Sequence, residues 1–206
     1  MTSYAEQQTD ADAWGPPPIG HIEEETFEPE AAPEAADLFE DIGPYLDGTA
    51  EDVLPTVAGV LPGRCLFYAE AVNEIHGEPS GGKTNVALTA AAAELAAGGR
   101  VLYIDPEDTA KRIVGRALAL GADAEAMRAR FHYKRDPAPE DYARLHAWAA
   151  EARPDMVILD GLAESLAREG KDENVVGDVL TFFRERIRPF AEAGADVVVA
   201  DHVAKN

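Results

Sequence analysis

The stretch His76-Gly77-Glu78-Pro79-Ser80-Gly81-Gly82-Lys83-Thr84 fits the pattern G-x-x-x-x-G-K-[ST], which restricts the fold more tightly than any bulk property of the 206 residues. Such a loop works only between a strand and a helix. Its glycines leave backbone N–H groups free to converge on phosphate oxygens at a helix N-terminus, where unpaired donors and the helix dipole both favour negative charge. The chain supplies that setting. Val72 to His76 reads as a strand, and the Ala-rich run from Thr84 to Ala97 reads as a helix closed by Gly98-Gly99. Gly77, Glu78, Pro79, Ser80, Gly81, Gly82, Lys83, Thr84 and Asn85 are therefore the candidate contacts to the phosphates of ATP or GTP. Lys83 would bridge the outer phosphates and the Thr84 hydroxyl would ligate Mg²⁺.

After this helix the sequence keeps alternating. Arg100-VLYID is an apolar run of the buried-strand kind, Asp108 to Leu120 is helical by period and stops at Gly121, and Phe131 to Lys134 is a short strand. The breaker run DPAPED precedes a helix from about Glu140 to Ala152. Met156-VILD is another strand, 162–173 a loop with a turn of helix, Asn174 to Ala193 one long helix, and Ala195-DVVVAD the last strand. Strands alternating with helices predict an α/β domain with a mostly parallel sheet and helices on both faces.

Charge separates this domain from what precedes it. Of the 39 Asp and Glu residues, 15 fall within residues 1–53, which contain no Lys or Arg; the other 24 face all 18 bases, a net of −6. The acidic run is rich in Glu, Pro and Ala and too poor in large apolar residues to offset its ordering entropy. Residues 1 to about 50 are thus expected to form a disordered acidic tail, with the folded domain beginning between Asp52 and Leu61 and running as 53–206. The tail serves either as a solubilising leader or as a mimic of nucleic acid. The single cysteine, Cys65, excludes an intramolecular disulfide and reads as a small core residue. The absence of a secretory pattern and of an apolar stretch near 18 residues points to a cytoplasmic protein with no membrane partner.

Three further residues carry chemistry. Asp160 ends the strand MVILD at the edge where open α/β sheets bind ligands, so it can hold Mg²⁺ through water. Strand VLYID delivers Asp105, Pro106, Glu107 and Asp108 to the same edge. Glu107 is a candidate general base or water-positioner for hydrolysis, and Asp108 a candidate cap for the next helix. His202 follows the last strand and could contact the γ-phosphate; a surface histidine is the plain alternative. The other histidines show no ligand spacing. Arg184, Arg186 and Arg188 with Glu185 read as a solvated helix face, not a nucleic-acid stripe.

Together HGEPSGGKT, VLYIDPEDTAKRIVGRALALGA, MVILDGLAESLAREGKDENVVGDV and AGADVVVADHVAKN resemble the RecA-like P-loop ATPases, most closely RepA-type hexameric replicative helicases and related AAA-family ATPases. The resemblance covers about residues 55 to 206. It implies that Glu107 activates water, Asp160 is the Walker B aspartate, His202 senses the γ-phosphate and Arg116 lies near the nucleotide base; Asp172-Glu173-Asn174 also matches that branch. It further implies single-stranded DNA as a partner, a homo-oligomeric ring or filament, and work in DNA replication or repair. Two departures stand out. This chain has Asp201-His202 where RepA-type proteins commonly show a His-His pair. It also stops before the strands and loops with which RecA-like cores bind DNA and reach a neighbour's ATP, so it is expected to be a fragment or a reduced ATPase.

The reading is ATP hydrolysis by such a domain. The alternative is a nucleotide-binding regulator or assembly subunit with little turnover, and a small-molecule kinase is a distant third.

Overall fold

A computed structural model of the chain describes residues 40–50, 54–61 and 64–202. The chain divides into two compact units, residues 1–51 and 52–206. In the first, the described residues hold one short helix, α1 (Gly43–Leu46), on which Tyr45 and Leu46 are exposed. The expected disordered tail falls, for residues 1–39 and 51–53, outside the described residues; α1 shows that residues 40–50 carry one turn of helix.

The second unit is an α/β domain with a RecA-like fold. A hairpin of β1 (Val57–Leu61) and β2 (Arg64–Phe67) leads into β3 (Val72–Gly77), α2 (Lys83–Ala97), β4 (Val101–Asp105), α3 (Ala110–Ala119), α4 (Ala124–Arg130) and β5 (Phe131–Arg135). Then come α5 (Asp141–Ala152), β6 (Met156–Asp160), α6 (Leu162–Arg168), α7 (Val176–Phe182), a π-helical segment (Phe183–Ile187), α8 (Arg188–Glu192) and β7 (Asp196–His202). The five strands β3-β7-β6-β4-β5 pair in that order, all parallel.

Strand alternation sends neighbouring residues to two cores. Val101, Tyr103, Met156, Ile158 and Val198 face α2, α3, α4 and the hairpin through Leu88, Leu95, Ile113, Met127 and Phe67. Leu102, Ile104, Val157, Leu159, Val197 and Val199 face the other side, against Tyr142, Leu166, Phe182, Ile187 and Phe190. Burial on both faces is why these strands read as unbroken apolar runs. Each fully buried leucine contributes about 1.5–3 kcal/mol.

The order of strands positions the site. β3 and β4 are consecutive in sequence, yet β7 and β6 lie between them. Helix α2 must therefore cross one face of the sheet, and it packs on β6 and β7 as it does so. The crossing brings the head of α2 near the C-terminal end of β6, at the kind of crevice where open α/β sheets hold ligands.

Several local expectations differ from what is found. The long helix is not uniform: Pro189 lacks the N–H that would bond Glu185, and the turn before it widens into the π segment. Within that segment the Arg186 carbonyl is met by His146 Nε2 at 3.0 Å. Helix α4 was not anticipated, although Asp123 caps it through Ala126 N–H at 2.8 Å. Cys65 is only half-buried on the hairpin, on the same strand face as the buried Phe67. Residues 162–168 form a helix of seven residues rather than a single turn.

Candidate active site

The glycine loop sits where the strand-to-helix reading put it, between Gly77 at the end of β3 and Lys83 at the start of α2. Ser80 and Gly82 both take left-handed φ, +64° and +88°, which folds the loop back on itself. Gly81 N–H donates to the Glu78 carbonyl at 3.0 Å, and a side chain at Gly81 would meet that same oxygen at 2.9 Å. Gly82 is the N-cap of α2 and has no side chain to occupy the first N–H groups of the helix. Lys83 is buried, with Nζ donating to the Gly77 and Glu78 carbonyls at 2.7 and 2.9 Å.

Thr84 and Asp160 are brought together at one end of the cleft, where the Thr84 hydroxyl acts to lower the Asp160 pKa. A donor reaches Asp160 from the neighbouring strand, the Tyr103 hydroxyl at 2.6 Å. Burial pushes Asp160 above the ordinary Asp range, with the charge of Asp105 adding to this, while the Tyr103 and Thr84 hydroxyls and the charge of Arg116 oppose it. Burial, followed by the charge and hydrogen bond of Asp160, raises the Tyr103 phenol well above its usual range.

Asp105 ends β4 and is buried. Its Oδ1 accepts from the N–H groups of Glu107 and Asp108 at 2.9 and 2.8 Å, and its Oδ2 accepts from the Tyr133 hydroxyl at 3.1 Å. Asp105 therefore shapes the turn that carries Glu107. The expected cap at Asp108 is not formed. Thr109 is the N-cap of α3, and Asp108 instead accepts from Thr109 N–H and pairs with Arg112 and Arg116 at 3.3 and 3.5 Å. With Asp105 already organising the turn, the Asp108 carboxylate is left to orient the two arginines.

Glu107 is exposed at the lip of the cleft. A hydrogen bond with the Glu164 carboxyl, partial burial, and the negative charges of Glu164, Asp160 and Asp105 push it up to about 7. The nearby carboxyl and negative charges thus favour the protonated form of Glu107 near neutrality.

A cleft of about 490 Å³ joins these groups, lined by Ser80 to Asn85, Asp105, Glu107, Asp108, Arg112, Ile113, Arg116, Asp160, Gly161 and Ala200. Of the expected contacts, Ser80, Gly81, Gly82, Lys83, Thr84, Asn85, Glu107, Arg116 and Asp160 line it; Gly77, Glu78 and Pro79 do not, and the first two hold Lys83 by their carbonyls. His202 is the last residue of β7 and pairs in register with Gly77 of the loop strand. The cleft fits a nucleoside triphosphate with Mg²⁺. It lies within the usual size range of ligand pockets, uncapped helix donors and an ammonium face one end, and a hydroxyl with a carboxylate offers the hard oxygen ligands that Mg²⁺ prefers. Among the described residues no group of three or more His, Cys, Asp or Glu side chains is arranged to hold a metal by itself. Phosphate oxygens would have to complete such a site.

Sequence reasoning gave no role to Tyr103, Glu164 and Arg168. Tyr103 was hidden in an apolar strand, although it shares a strand face with Asp105, two residues on. Glu164 and Arg168 are four apart in the segment after Asp160, and only its being a true helix sets both toward the Glu107 turn.

Comparison with known proteins agrees with this geometry. The family model of the AAA domain matches residues 44–206. The DNA repair and recombination protein RadB of Halobacterium salinarum is 32% identical over 141 residues, 65% of this chain and 59% of RadB. The DNA repair protein RadA of Brucella abortus is 28% identical over 172 residues, 82% of this chain and 34% of RadA. The matched stretch thus spans between about a third and three fifths of these relatives. Among the described residues no helix is long and apolar enough to cross a membrane.

Proposed function

The chain belongs to the AAA domain family, and on that premise we propose that it binds ATP with Mg²⁺ and hydrolyses it to ADP and phosphate in the service of DNA repair or recombination. The observation that carries this reading is the convergence of Lys83, Thr84 and Asp160 on one cleft at the head of α2, with Glu107 on its lip. In use, Lys83 Nζ trades the Gly77 and Glu78 carbonyls for phosphate oxygens, and the first N–H groups of α2 take the neighbouring ones. Thr84 and Asp160 would hold Mg²⁺, which would supply charge neutralisation at the phosphates. Glu107 orients the attacking water and accepts its proton, while Arg116, which also lines the cleft, lies near the base. His202 reads the γ-phosphate from the end of β7. Most of the rate comes from positioning and electrostatics.

Single-stranded DNA as the stimulating partner, assembly into a ring or filament, and the narrower replicative-helicase type belong to this same reading. They rest on the motif resemblance and on the named relatives.

A second reading is favoured by one observation. With Glu107 raised to about 7 beside Glu164, the water-activating carboxylate is half protonated at neutral pH, as suits a nucleotide-binding regulator of slow turnover.

Phosphate release by the purified chain, with and without single-stranded DNA, tests the proposal. Turnover that DNA raises and that Glu107→Gln abolishes, with ATP binding retained, is the expected result. Turnover equal in wild type and Glu107→Gln leaves the regulator.

A further inference from the structure

We propose that Arg168 is a positioning residue for Glu107, acting through the Pro106 carbonyl and the Asp136 carboxylate; this rests on the reading of Glu107 as the residue that orients water.

Glu107 stands on a turn whose two preceding carbonyls are both held from outside the turn. The Asp105 carbonyl accepts from Asp136 N–H at 2.8 Å, and the Pro106 carbonyl accepts from Arg168 Nη2 at 3.4 Å. These two donors are themselves joined, because Arg168 Nε pairs with the Asp136 carboxylate. Asp136 adopts φ +48°, a conformation that costs a residue with a side chain and persists where surrounding bonds over-determine it. At the other end of α6, Gly161 lies against the Pro106 ring, and a Cβ there would come within 2.8 Å of Pro106 Cγ. One short helix therefore grips the residue before Glu107 from both of its ends.

The same helix also brings the group that disturbs Glu107. Glu164 precedes Arg168 by four residues, and its carboxyl is the hydrogen-bond partner of Glu107. Once both carboxyls are ionised they repel, and among the described residues no cation pairs with the exposed Glu107 side chain. What keeps it aimed into the cleft is its main chain, and Arg168 is the only charged side chain among the described contacts that fixes the Pro106 carbonyl.

A purely structural ion pair would behave differently. Arg168 and Asp136 are 45% and 37% exposed, and pairs of that kind add little to stability. The loss should appear in the chemical step alone.

The experiment is a kinetic cycle in the full chain: Arg168→Ala, Arg168→Lys, Glu107→Gln and the double variant Arg168→Ala with Glu107→Gln, in single-turnover ATP hydrolysis, with ATP affinity and Tm alongside. The expected result for Arg168→Ala is a fall in kcat of roughly tenfold, since small misplacements of a catalytic group cost one to two orders of magnitude. ATP affinity and Tm stay at wild-type values, Arg168→Lys recovers part of the loss, and the double variant is no slower than Glu107→Gln. Unchanged turnover in Arg168→Ala overturns the proposal. So does a parallel loss of ATP affinity, or the same fractional loss in the Glu107→Gln background. A wild type without turnover overturns the hydrolysis reading itself, whereas turnover that needs Glu107 but not Arg168 overturns the positioning role alone.

Discussion

The Tyr103 hydroxyl, from the middle of one apolar strand, donates at 2.6 Å to Asp160 at the end of the next. This bond supports a carboxylate that burial alone would drive toward protonation. It fixes which way Asp160 faces, so the orientation of the proposed Mg²⁺ ligand depends on a residue in the core.

Tyr103→Phe keeps the ring and removes the donor. The expected cost is about 1–2 kcal/mol of stability, because the bond goes to a charged, largely buried acceptor. The Mg²⁺ concentration giving half-maximal turnover is expected to rise about tenfold, the usual scale for losing a partner that orients a metal ligand. A urea midpoint and a Mg²⁺ titration of ATPase activity measure the two effects. A changed midpoint with an unchanged Mg²⁺ requirement would assign Tyr103 to packing only.

Gly161→Ala is expected to lower stability by about 2–3 kcal/mol, since its φ of +131° strains any side chain and the new Cβ would press on Pro106 at 2.8 Å. Gly170→Ala is the control: its φ is also left-handed, +67°, but nothing lies within 4 Å, so strain acts there alone and the cost is about 1 kcal/mol. Denaturant midpoints compare the two. Turnover is expected to fall in Gly161→Ala and not in Gly170→Ala, as only the former shifts the turn of Glu107.

How much of this was legible follows from where the physics is local. The strand-loop-helix at Gly77 to Thr84 and the buried runs VLYID and MVILD announce themselves because each is decided by its own residues: glycines at the loop, two-sided burial in the strands. Glu107 and Asp160 could be named because both follow such strands. Helix α4 escaped because seven residues carry little period, and its capping Asp123 follows Gly121 closely enough to read as one turn. The π segment depends on how the helix around Pro189 makes up for the missing N–H, and the Glu164–Glu107 pairing depends on the angle at which α6 leaves Gly161. Neither is a property of any short stretch of sequence.

Beyond the cleft, Glu169 closes a small ionic network. Its side chain is 6% exposed and accepts from Arg186 Nε at 2.7 Å and from Lys171 Nζ, tying the segment after α6 to the π segment. Burial acts to raise its pKa, but the hydrogen bonds and charges of Arg186 and Lys171 prevail and hold it below the usual Glu range. A depressed pKa in the fold means stability that is present above the ordinary value near 4.5 and is lost as pH falls through the folded value. Glu169→Gln is expected to cost about 2–3 kcal/mol at pH 7, because two partly buried cations lose their partner. The difference from wild type should shrink below pH 4. Thermal unfolding at both pH values tests this, and a cost that is the same at each would remove the ionic contribution.

Glu107 has the opposite sign. Its carboxyl is raised from 4.5 to about 7, first by the hydrogen bond with Glu164 and then by burial and neighbouring negative charge. Between those two values the folded chain holds a proton that the unfolded chain has released, so stability declines as pH rises through the window. Glu107→Gln removes that proton uptake and is expected to raise Tm relative to wild type more at pH 8 than at pH 5, by a small amount because the side chain meets solvent. Turnover moves the other way, since orienting water and accepting its proton require the carboxylate. Its rate should climb about tenfold per pH unit below 7 and level off above it. Glu164→Gln withdraws the charge that opposes ionisation, and the rising limb is expected to move toward lower pH. A limb that stays in place in Glu164→Gln would mean that the titrating group is not Glu107.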